Sequence, residues 1–145
     1  MSITRMENVG IVVEDLQSAT AFFTELGLTE LGEAGVEGDW VDRVVGLDGV
    51  RVDVVMLQTA DGNGQIELMK FNNPAALVGD PDSPPNTLGI RRVAFGVDDI
   101  DSAVARLEAR GEELVGEVVT YEDSYRLCYV RGPGGIIVML AEQLG

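Results

Sequence analysis

The segment Asn8 to Glu33 returns, without a gap and 84 residues later, as Arg92 to Glu117. Val9, Val13, Asp15, Ser18, Ala19, Ala21, Gly27, Gly32 and Glu33 recur as Val93, Val97, Asp99, Ser102, Ala103, Ala105, Gly111, Gly116 and Glu117. A repeat that keeps the acidic caps, the small helix residues and the glycines in register constrains the chain to two copies of one supersecondary unit.

Each copy reads in the same order. Asn8 to Val13 is a β-branched run of strand length, and Asp15 stands where an N-cap is needed before LQSATAFFTEL. Leu16, Ala19, Phe22, Phe23 and Leu26 fall on one helical face, and Gly27 is placed to stop the helix in the left-handed conformation. In the second copy the strand is Arg92 to Val97, the cap Asp99, the apolar face Ile100, Ala103, Val104 and Leu107, and the stop Gly111. Further strands are expected at 51–59 and 65–71 in the first half, and at 124–131 and 136–142 in the second. The turns Asp61-Gly62-Asn63-Gly64 and Gly132-Pro133-Gly134-Gly135 join these pairs as antiparallel hairpins. The pattern is an α+β fold of two βαβββ modules, 1–71 and 90–145. Between them a linker, 72–89, carries Pro74, Pro81, Pro84 and Pro85.

With 145 residues, 46% of them apolar, the chain is long enough for a sizeable core. Its formal charge of −15 repels nucleic-acid phosphates and anionic membrane surfaces, so neither is an expected partner. Cys128 has no partner for an internal disulfide and lies in an apolar run, which fits a buried thiol and a cytoplasmic setting. No 18 apolar residues run together, so no membrane insertion or export is expected. Phosphate-loop and nucleophile-elbow motifs are missing, and the chain has no histidine to serve as a base.

A doubled βαβββ chain whose halves open on V-G-I-V-V-x-D-L and V-A-F-x-V-D-D-I, and which closes near G-P-x-G-x-x-V, resembles the vicinal oxygen chelate superfamily. That group includes glyoxalase I, extradiol dioxygenases and the bleomycin-resistance proteins. The resemblance covers nearly the whole chain. It implies two modules forming an open, barrel-like cleft, usually in a homodimer, with a small organic molecule as the partner. Catalytic members take a divalent metal from the first and last strands of each module. Carried over, those positions are Asn8, Glu67, Arg92 and Met139. Only Glu67 is a good ligand. Arg92 is cationic and has no lone pair to offer, Met139 offers a soft thioether, and Asn8 is a weak carbonyl donor. Aligning the last strand later would substitute Glu142 for Met139 but leave Arg92 in the ring. The expectation is therefore no metal and no cofactor.

Three functional readings follow. The first is a metal-free protein of the glyoxalase/bleomycin-resistance type, binding or sequestering a small organic ligand in the cleft between modules. Its expected ligand-binding residues are Asn8, Trp40, Glu67, Arg92, Tyr121, Tyr125 and Met139. Trp40 offers a flat face, and Tyr121, Tyr125 and Tyr129 cluster near one strand, where Tyr125 and Tyr129 share a side. The second is a metal-independent isomerase, lyase or cyclase with Glu67 as base and Arg92 as electrophilic stabiliser. The third is a divergent metal-dependent glyoxalase or dioxygenase. For each candidate a plainer role stands beside the functional one: Glu67 and Arg92 as a neutralising ion pair, Trp40 as a core or interface cap, the tyrosines as a half-exposed sheet face.

Overall fold

The computed structural model describes residues Ser2–Gly145. It is an α+β chain of two open sheets, three α-helices and one 3₁₀ turn, with neither sheet closed into a barrel. It divides into two compact units, one ending at Val78 and one running from Gly79 to Gly145.

In the first unit the elements are β1 (Val9–Val12), α1 (Leu16–Glu25), β2 (Thr29–Glu37), α2 (Asp39–Val45), β3 (Arg51–Gln58) and β4 (Gln65–Asn73). The sheet order is β1-β4-β3-β2, with β1 parallel to β4 and the other pairs antiparallel. Alternation along β3 and β4 turns Val55, Leu57, Ile66 and Leu68 to one face, all of them buried. The buried side chains of α1, Ala19, Phe22 and Phe23, belong to the same core, and the two phenyl rings meet edge to face at 5.0 Å. On the opposite face Val41 of α2 packs with Val36, Val52, Val54, Met69 and Phe71, covering one end of the sheet.

The second unit contains β5 (Arg92–Val97), α3 (Ile100–Ala109), the short β6 (Glu113–Leu114) and β7 (Val119–Tyr121), β8 (Tyr125–Arg131), the 3₁₀ turn Pro133–Gly135 and β9 (Ile137–Gln143). The order is β5-β9-β8-β6, and β7 pairs with β8 beyond β6. Cys128, Val130, Val138 and Leu140 face inward, as do Ile100, Ala103, Val104 and Leu107 of α3. Burial also pushes the Cys128 thiol pKa up.

The repeat read in the sequence is a repeat of local hydrogen bonds. Asp15 and Asp99 are both N-caps with extended backbone, and each carboxylate accepts the amide of the serine three residues on, Ser18 or Ser102, at 3.0 Å. Gly27 and Gly111 follow the helix ends with φ of +107° and +91°, where any other residue is strained. Ala19 and Ala103 lie where the helix approaches its sheet and are fully or almost fully buried.

The copies diverge after the helix. The first builds a nine-residue edge strand, β2, and the short helix α2; the second breaks the equivalent stretch into β6 and β7. Both expected hairpins form. In the first, Thr59 and Gly64 exchange backbone and hydroxyl bonds around Asp61. In the second, the Gly132 amide donates to Ile136 O at 2.7 Å.

Candidate functional site

Strand register places the four superfamily ligand positions. In the first unit Gly10 lies opposite Glu67, with Asn8 two residues upstream. In the second, Ala94 lies opposite Met139, with Arg92 two residues upstream. Gly10 and Ala94 are themselves repeat partners, so Asn8 with Glu67 and Arg92 with Met139 are equivalent pairs by topology as well as by sequence. Each pair lies on the sheet face opposite its module's buried core.

Within the first unit, Asn8 Nδ2 donates to Glu67 Oε2 at 3.3 Å, and Met56 stands opposite Glu67 on β3. Trp40 is elsewhere, in the first turn of α2 and 61% exposed. The glycine-flanked stretch that carries it forms a short helix between β2 and β3. α2 owes its form to its flanks. Gly46 ends it in the left-handed conformation, and Asp42 accepts the Gly49 and Val50 amides at 2.9 and 2.8 Å, closing the chain back toward β3.

Within the second unit, Tyr129, Met139 and Ala94 lie side by side across β8, β9 and β5, and Leu127, Ala141 and Gly96 form the next row. Tyr125 and Tyr121 face each other where β7 pairs with β8. Arg92, Tyr121, Tyr125 and Met139 therefore share one open face. Tyr129 joins them, and its ring lies under Arg92, with Cζ 5.5 Å from the ring centroid. Glu142 is on the other face: its Oε1 accepts the Ile100 amide at 2.8 Å and adds a second anionic acceptor to the start of α3. Strand alternation therefore puts Glu142 on the face opposite Met139 and Arg92.

The donor set does not fit the divalent metal that catalytic members hold. Glu67 is the one hard anionic donor among the four positions, Arg92 brings a positive charge, and Met139 brings a soft sulfur. Among the described residues no group of three or more His, Cys, Asp or Glu side chains is arranged to hold a metal ion. A groove of about 560 Å³ in the first unit lies away from these residues, between α1 and β2, and presents Thr20, Thr24, Glu30 and Glu33. No helix is long and apolar enough to cross a membrane among the described residues.

Comparison with known proteins agrees with this fold. The profile of the glyoxalase/bleomycin resistance protein/dioxygenase superfamily matches residues 7–129, and the chain belongs to that superfamily. The crystal structure of a glyoxalase family protein from Bacillus cereus is 51% identical, with a TM-score of 0.96 over 100% of this chain and 97% of that one. The uncharacterized protein YaeR of Escherichia coli (strain K12) is 29% identical over 99% of both chains. TnmS3, an antibiotic binding protein from Streptomyces sp. CB03234, shares the fold at 19% identity, with a TM-score of 0.62 over 99% of this chain and 98% of that one.

Proposed function

We propose that this protein binds a small organic molecule without a resident divalent metal, in the manner of the ligand-binding rather than the metal-dependent branch of its superfamily. One observation carries the reading: the position equivalent to Asn8 is an arginine whose guanidinium lies over the Tyr129 ring. A fixed cation at a ligand position opposes a dication by charge and supplies no lone pair. The same cation and ring, with Tyr121 and Tyr125 on the same face, supply stacking area and hydrogen-bond donors, as an organic ligand requires. The fold shared with TnmS3 supports the reading as a fold-level analogy.

The test is a thermal-shift screen of metals against organic metabolites. A ligand that binds only the folded state stabilises it by mass action, by about 2.7 kcal/mol at a hundredfold excess over Kd. At least one organic compound is expected to raise the melting temperature by several degrees while manganese, nickel and zinc leave it unchanged. A shift from one of those metals alone would contradict the reading. The working form is proposed to be a homodimer, supported by exposed Leu77, Leu88 and Ile90. Sedimentation should give about twice the 15.5 kDa chain mass, and a monomer at micromolar concentration would refute it.

A further inference from the structure

We propose that the ligand of the second unit's open face is a flat, conjugated molecule carrying a carboxylate, with Arg92 holding the anion and the Tyr129 side of the sheet holding the ring. The proposal rests on the binding reading above and names its ligand class.

The first support is the state of Arg92. The chain has 25 acidic and 10 basic residues, so acids are plentiful as partners. Arg126 takes one bidentately, with Nη1 2.6 Å from Asp101 Oδ2 and Nη2 2.9 Å from Asp101 Oδ1. Arg131 is occupied by the carbonyls of Pro81, Ser83 and Gly135. Arg92 is exposed and enters none of the ion pairs or side-chain hydrogen bonds found among the described residues; its neighbour is the Tyr129 ring. A guanidinium over an aromatic ring is held by its flat face, which leaves its N–H edge to donate. A carboxylate is the anion whose two oxygens match that edge in one plane.

The second support is the floor beside it. Ala94, Gly96 and Ala141 occupy adjacent places on β5 and β9, and none has a side chain longer than a methyl group. On β8, Leu127 lies directly across from Ala141, with Tyr125 and Tyr129 next along that face on either side, and Met139 stands between Ala94 and Tyr129. A planar ring fits a low patch edged by the apolar side chains of Met139 and Leu127, with the tyrosine rings beyond them, whereas a bulky saturated group would leave its shallow floor unfilled. A neutral ligand would leave the guanidinium unpaired, and a cationic one would meet it with like charge.

Calorimetric titration of the full chain with 2-naphthoate, 2-naphthamide and 2-naphthylmethylammonium tests this, using the wild type, Arg92→Ala and Arg92→Lys. Because Arg92 is exposed, both variants should fold, and melting curves check that they do. The expected result is saturable naphthoate binding at least about tenfold tighter than that of the amide, the scale of a charge-assisted hydrogen bond. That margin should vanish in Arg92→Ala and return in part in Arg92→Lys. Amide or ammonium binding as tight as naphthoate, or unchanged naphthoate affinity in Arg92→Ala, overturns the carboxylate assignment and leaves the binding reading standing. Saturation by none of the three overturns the ligand class. Stoichiometric manganese or nickel binding in the same calorimeter would take the binding reading down as well.

Discussion

Asp101 and Arg126 form a two-bond ion pair between α3 and β8, and the Arg126 hydrogen bonds and charge hold the Asp101 carboxyl pKa below its ordinary 3.8. A carboxyl lowered in the folded state contributes stability above its unfolded pKa and loses it as pH falls through the folded value. The melting temperature of the wild type should therefore fall more steeply below about pH 4 than that of Asp101→Asn. Parallel acid limbs would show that solvent screens the pair at its exposed position. Other residues show what the sequence could and could not tell. The repeat alone aligned Arg92 with Asn8, because it has no gap. It could not tell which of Met139 and Glu142 shares a sheet face with Arg92, because the register of β9 against β5 is fixed by hydrogen bonds between strands far apart in sequence. Nor does any local signal pair Arg92 with Tyr129: two parallel-then-antiparallel strand pairings bring them together.

The helix boundaries were legible because a cap and a stop act within one turn of chain. Asp15→Ala and Asp99→Ala should each cost about 1 kcal/mol, read by chemical denaturation. Asp99→Ala should cost less than Asp15→Ala, since Glu142 also accepts at the start of α3; the reverse order would deny Glu142 that role. β2 and α2 were not legible as elements. β2 is exposed at eight of its nine positions, so it lacks the half-buried alternation that marks a strand, and its three glycine and alanine positions weaken any propensity signal. Its glutamates suit an edge strand that must not pair with another chain. α2 is seven residues long, with one buried side chain to anchor it, too short for a helical period to emerge. Gly135 was legible only as a turn residue. Its φ is +88°, and a Cβ there would overlap the Pro81 backbone, so it also lets the preceding segment lie against the hairpin.

Across the whole molecule, the duplication gives two sheets of similar plan whose equivalent positions no longer match in chemistry. The first keeps a carboxylate bound by an amide; the second has exchanged the donor pair for a guanidinium and a thioether. The net charge of −15 explains why the exchange matters. Among the described residues Arg92 enters no ion pair, and its positive charge makes it a poor neighbour for a metal ion. Elemental analysis of protein purified without chelators and dialysed against manganese, nickel and zinc measures this directly. The expected content is below about one tenth of an equivalent of any of the three, as the donor set dictates. One equivalent of bound metal retained through dialysis would contradict the account at its centre.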